Sequence, residues 1–397
     1  MKKRTLLTIA CLMSVVLLSG CWDRREINDV AFVMATGLDK EAEQQYRVTV
    51  QIPLASQLGG IGGSGGGGGT SGGKPYFNDS VVANTVRKAN EVQQREVSRQ
   101  LYFAHRRVVV IGEDLAKEGI QDLMDILGRL PQNRLTSFLL VAKGTARDML
   151  TADVPTEQFP AEVMRELAQN SMKTPRTLKH VINSLVTDGL DTAIPYLELD
   201  MTKPGEKGKP HSLIRVSGIA VFRHNRLAGV LRGEEGNAML LAMNEAKRPS
   251  FTIQSPDGSG HITALLQQNT SNLETTVEGD LIRVKINVQA KGYVVENQSS
   301  YDLASDNNLS KLGFLVADRI RTSILDSMKL LQNEYHSDPI GIGLKIYRSE
   351  PERWKQLRQN WEEEYAKVQV EVNPLVHLEH TGIYTAPMAR KKGEVHS

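Results

Sequence analysis

Cysteine is nearly absent: the 397 residues hold two, Cys11 and Cys21. That excludes the disulfide framework of a small secreted scaffold and any multi-cysteine metal site. Charge of one sign is also missing. Lys2, Lys3 and Arg4 supply three of the 48 basic residues, so the chain behind them carries 45 against 46 acidic ones. A near-neutral body has no sequence-wide electrostatic reason to seek nucleic acid. No HExxH pattern and no paired carboxylates at a catalytic spacing occur, and the nine histidines are scattered. Long apolar runs are missing too, with a single exception at the N-terminus, which excludes a multi-span membrane protein. What is present is 40% hydrophobic and 24% charged residues spread along the chain. That composition predicts folded domains, two or three of them at this length.

The one apolar run, residues 6–18, is broken only by Thr8 and Ser14 and follows the positive Lys2-Lys3-Arg4. It is too short to span a bilayer, which takes about 20 apolar residues. It has the length of a signal-peptide core. The run ends in Leu18-Ser19-Gly20-Cys21, which resembles a bacterial lipobox. Residues 1–20 are therefore expected to be a leader, with Cys21 the lipid-attachment residue carrying a diacylglycerol thioether. The plainer alternative, an ordinary secretory cleavage near a chance cysteine, is disfavoured because the position, the apolar run and all four lipobox residues agree. With Cys11 removed and Cys21 alkylated, no thiol remains for a disulfide, a metal or nucleophilic chemistry. Two acyl chains anchor stably where one is marginal, at about 0.8 kcal/mol per buried methylene.

Period-2 alternation predicts strands at 30–38 and 46–53, and most clearly at 282–290, after the turn Gly279-Asp280. Short apolar runs predict strands at 107–111, 137–142 and 213–222, with a return strand at 226–231. Helical spacing predicts helices at 79–99, 113–117, 120–130, 157–172, 176–186 and 233–243. A long amphipathic helix is expected at 309–332 and a charged one at 352–364, before a last strand from Val368. The pattern predicts an α+β fold of three mixed domains. These are an N-terminal α/β domain (21–145), a small middle domain (146–205) and a C-terminal α+β domain (213–386). The last is expected to be a largely antiparallel sheet packed with helices. Residues 202–210, with two prolines and three lysines, read as an exposed loop between domains.

Residues 59–73 contain eleven glycines. Gly68 to Lys74 fits a P-loop frame, but Pro75 stands where a magnesium-binding hydroxyl is needed, so the stretch reads as a flexible surface loop. His377 and His380 lie three apart on an expected strand and point to opposite faces, which argues against a metal site. Trp354 and Trp361, seven apart on one helix face, suit packing onto a sheet better than a ligand clamp. No catalytic constellation and no cofactor site emerges.

Four stretches together resemble the Ger(x)C family of spore germination lipoproteins. They are Cys21-Trp22-Asp23-Arg24-Arg25-Glu26-Ile27; the run from His105 through Gly112 to Ala116, with Gly119-Ile120; Gly218-Ile219-Ala220-Val221-Phe222 with Leu227-Ala228-Gly229; and Asp338-Pro339-Ile340-Gly341-Ile342-Gly343 with Trp354 and Trp361 downstream. The glycine run departs from the family pattern without touching these segments. The resemblance implies a non-enzymatic C subunit of a nutrient germinant receptor, working beside integral membrane A-type and permease-like B-type subunits. It also implies a place on the outer face of the spore inner membrane, in a complex that answers small nutrients. A solute-binding lipoprotein serving a transporter would carry the same anchor. So would an anchored cell-wall hydrolase, against which the missing acid/base and zinc signatures count.

Overall fold

The computed structural model describes residues 29–54, 74–130, 132–202 and 210–379. The leader, Cys21 and its motif, the glycine run, most of the 202–210 loop and His380 lie outside these residues.

The chain begins with β1 (Val30–Phe32), β2 (Ala35–Ala42), β3 (Gln45–Pro53) and β4 (Tyr76–Ala83), then helix α1 (Val86–Glu96) and β5 (Gln100–Tyr102). Next come β6 (Val108–Gly112), α2 (Glu113–Glu118), α3 (Gln121–Arg129) and β7 (Phe138–Ala142). Three helices follow, α4 (Ala146–Thr151), α5 (Pro160–Ser171) and α6 (Leu178–Leu185), then β8 (Ala193–Met201), β9 (Ser212–Arg223), β10 (Arg226–Arg232) and α7 (Gly233–Ala242). The remainder holds β11 (Ser250–Gln254), β12 (His261–Glu278), β13 (Leu281–Asn297) and the long α8 (Asp306–Leu330), which runs into a π turn, Leu331–Tyr335. It closes with α9 (Ile342–Ser349), α10 (Pro351–Leu357), a 3-10 turn (Arg358–Asn360), α11 (Trp361–Lys367) and β14 (Gln369–Glu379).

The architecture is α+β, as the sequence predicts. Its largest element is an eight-stranded sheet in the order β10-β9-β8-β7-β6-β2-β3-β4, parallel through β2, β6, β7 and β8 and antiparallel at both ends. Helices cover both faces. Val109, Ile111, Leu139 and Val141 pack with Leu115, Leu123 and Val181 of α2, α3 and α6. Val108, Val110 and Leu140 turn the other way onto Met149 and Met164 of α4 and α5. Strands buried on both faces read as continuous apolar runs, which is why 107–111 and 137–142 stand out in the sequence. Residues 146–205 contribute α4 and α5 to one face, α6 to the other, and β8 to the sheet itself. The border expected at 205/213 falls in the β8–β9 hairpin, whose strands pair from Ala193↔Val221 to Met201↔Ser212.

The second sheet has the order β11-β12-β13-β14. Ile282, Val284, Ile286 and Val288 point inward, in one core with Leu312, Val316, Ile320 and Ile324 of α8. The intervening Arg283, Lys285 and Gln289 are exposed. β14 joins parallel to β13, because four helices carry the chain back across the sheet before it enters.

Several elements differ from expectation. The strand expected at 30–38 breaks after Phe32, and β1 leaves to pair with β5. The helix expected at 79–99 begins only at Val86, where Thr85 accepts a hydrogen bond from the Lys88 N–H at 3.1 Å. Residues 76–83 pair with β3 instead, so tertiary pairing overrides local helical spacing. The helix expected at 352–364 is α10 and α11 separated by the 3-10 turn. β8, β11 and β12 carry no clear sequence signal. β12, rich in Thr, Asn and Gln, is a strand by virtue of its long pairing with β13.

Candidate functional site

A cleft of about 1180 Å³ opens where α3 and α6, on one face of the large sheet, meet the segment from His336 to Tyr365. Its base is built by two aspartates. After the π turn the chain passes through His336 in a left-handed conformation (φ 47°) and reaches Asp338. Asp338 Oδ1 accepts from the N–H groups of Gly341 (2.9 Å) and Ile342 (3.0 Å), and Oδ2 from that of Gly343 (2.8 Å). The carboxyl thus satisfies the free donors that begin α9. Asp191, in the loop after α6, holds the same turn from the other side. Its Oδ2 accepts from the Asp338 N–H at 2.9 Å and its Oδ1 from the His224 N–H at 2.8 Å. The two aspartates hydrogen-bond the large sheet's periphery to the C-terminal helices.

Two glycines make the joint close. A Cβ on Gly343 would lie 2.8 Å from both Gly189 Cα and the Trp354 ring, so only glycine lets these backbones touch. The Leu344 N–H donates to the Gly189 carbonyl at 2.7 Å across the same contact. Gly229 of β10 lies directly against the Tyr335 ring, where a Cβ would collide with it. Trp354 is buried and packs edge-to-face on Trp361 (centroids 5.2 Å apart), which in turn meets Tyr365 at 5.9 Å. The two tryptophans pack against each other and Tyr365, and both also line the cleft. Glu362 ties α11 to the β9–β10 turn through Arg223 and through His224 Nε2 at 2.9 Å.

Burial pushes Asp338 up to about 7, opposed by its three backbone donors, with the neighbouring Asp191 raising it further. Burial raises Asp191 as well. The Tyr365 hydroxyl is raised well above its usual value by burial and then by the two carboxyl groups. Three donors buried behind the cleft wall, Trp354 Nε1, Trp361 Nε1 and the Tyr365 hydroxyl, have no acceptor among the described residues. The two aspartate carboxyl groups accept hydrogen bonds from backbone N–H groups.

Of the residues singled out in the sequence, Trp354, Trp361 and the Asp338–Gly343 run meet in this joint. His377 sits apart on β14, paired in register with Lys291. No cluster of three metal-ligating side chains occurs among the described residues. Cys21 lies outside them. Asp191 carries no local signal, since its partners are 33 and 147 residues away. A further aspartate, Asp39, does the same work elsewhere: it caps α4 through the N–H groups of Ala146 (2.6 Å) and Arg147 (3.0 Å).

Comparison with known proteins gives the family. The model for the spore germination protein N-terminal domain matches residues 23–199, and that for the spore germination B3/GerAC-like C-terminal region matches 217–382. The chain belongs to the Ger(x)C family of spore germination proteins. It is 38% identical over 383 residues to the putative spore germination protein YfkR of Bacillus subtilis (strain 168), covering 96% of this chain and 98% of that one. It is 25% identical over 404 residues to spore germination protein KC of the same organism, covering 98% of each. The crystal structure of the GerBC protein shares the fold, with a TM-score of 0.55 and 17% identity over 90% of this chain and all of that one. The division between the two family models, at 199/217, is crossed by the β8–β9 pairing.

Proposed function

We propose that this chain is the lipid-anchored C subunit of a nutrient germinant receptor, acting as a scaffold beside two integral membrane subunits and needed for nutrient-triggered germination. One observation carries the reading: Gly229, Asp338, Gly343 and Trp354, all within the family's recurring segments, are consumed in packing and capping a single joint. Residues used this way hold a shape rather than run a reaction. Among the described residues no helix is long and apolar enough to cross a membrane. In this reading attachment falls to the diacylglycerol on Cys21, on the outer face of the spore inner membrane. The tether keeps the body at high effective concentration near its partners without a strong interface. Replacing Cys21 by Ala should release the protein from spore membranes and slow the nutrient response. Unchanged retention and response would remove the anchor from the mechanism.

The cleft of about 1180 Å³ favours a second reading, a solute-binding lipoprotein that passes a small ligand to a transporter. Calorimetry of the full chain with amino acids, sugars and nucleosides separates the two. Micromolar binding of one solute favours delivery, and silence favours the scaffold.

A further inference from the structure

A smaller groove of about 690 Å³ runs between α1 and β5. Arg87 and Arg95 of α1 line it, together with Asn90, Gln94, Gln100 and Asn133. Asn90 is 8% exposed, and its Oδ1 has no hydrogen-bond donor; the Asn133 Oδ1 is likewise buried and unpaired. Glu91, which also lines the groove, is shared at 3.6 Å by Arg87 and Lys88. Arg95 has no ion-pair partner among the described residues. From Arg87 to Arg99 the sequence holds four cations and two carboxylates. The groove thus offers guanidinium donors, with two unfilled amide oxygens buried behind its wall. A phosphate group suits these donors: its oxygens accept from the arginine guanidiniums.

The position of the groove says where such a group would come from. Val30 of β1 pairs directly with Gln100, a residue of the groove wall. Cys21 lies nine residues before Val30, and nine residues span at most about 30 Å. If Cys21 carries the anchor, as proposed above, the groove can never be far from the bilayer surface.

We propose that this groove takes the headgroup of an anionic phosphoglyceride from the leaflet that holds the chain's own anchor. This second attachment orients the body on the membrane, which a single flexible tether cannot do. The test uses the mature full chain carrying Cys21→Ala, so that binding does not depend on acylation. It is floated with vesicles of phosphatidylcholine alone or mixed with phosphatidylglycerol. Retention on the mixed vesicles is expected, with a loss of roughly fivefold per arginine, or about 25-fold, when Arg87→Gln and Arg95→Gln are combined. Both side chains are exposed enough to change without unfolding the helix, which circular dichroism checks. Lys88→Gln with Arg99→Gln removes the same charge outside the groove and should cost clearly less.

Equal retention on both vesicles, or equal loss in the two double variants, overturns the proposal. Competition by soluble glycerol phosphate at concentrations matching the vesicle lipid would make this a site for a free metabolite and would also overturn it. Intact-mass analysis of the native protein tests Cys21 acylation separately, so failure of the anchor reading and failure of the groove are told apart.

Discussion

The eight-stranded sheet and the four-stranded sheet solve the same burial problem in different ways. In the first, neighbouring residues of one strand belong to different cores: Leu139 packs with α2, α3 and α6, and Leu140 with α4 and α5. In the second, only alternate residues are buried. Ile286 faces α8, while Lys285 lies in solvent with its side chain 52% exposed, near Glu371. A sheet covered twice has no tolerant face, and a sheet covered once has one. The region joining them is the most constrained, because Asp338 and Gly343 must satisfy both sides.

The comparison can be broken first at that joint. Asp338→Ala leaves three buried N–H groups without an acceptor, at about 1–3 kcal/mol each, so a loss of about 3–5 kcal/mol in urea unfolding is expected. A loss under about 1 kcal/mol would mean that the turn does not hold the two regions together. Next come Leu139→Ala and Leu140→Ala, each expected to cost about 2–5 kcal/mol. If one of the two proved neutral, the large sheet would have an uncovered face. The corresponding pair in β13 should split: Ile286→Ala is expected to cost about 2–5 kcal/mol. Lys285→Ala should stay within about 0.5 kcal/mol.

A smaller effect sharpens the electrostatic side of the joint. Because burial raises Asp338 from 3.8 to about 7, the folded chain holds that proton more tightly than the unfolded one. Its contribution is therefore fully present below about pH 4 and is lost as pH rises toward 7. Asp191 and Asp39 are shifted in the same direction. Urea midpoints from pH 4 to 8 should show a stability slope that is flatter in Asp338→Asn than in the native chain. Identical slopes would mean that Asp338 titrates normally.

Legibility follows the same division. The strands 108–112 and 138–142 are apparent in sequence because burial on both faces demands unbroken apolar runs. β13 is apparent because burial on one face demands alternation. β12 is not, since most of its outward residues are polar and its strand character comes from register with β13. β4 was hidden for a related reason: residues 79–83 fit a helical stripe until β3 is placed beside them. The tryptophans and the Asp338–Gly343 run were visible as a pattern, but their meeting with Asp191 and Gly189 was not.

Periodicity and composition were enough to determine the mixture of helices and strands and the apolar stripe of α8, and the resemblance of four short stretches pointed to the family, because those properties reside in neighbouring residues. Only the tertiary structure decided that β8, β9 and β10 extend the N-terminal strands into one sheet. It also decided that β14 enters parallel, and that aspartates far apart in the chain close a single joint. Hydrogen-bond partners 147 residues apart leave no local trace, since each residue's neighbours in sequence are indifferent to the contact that uses it.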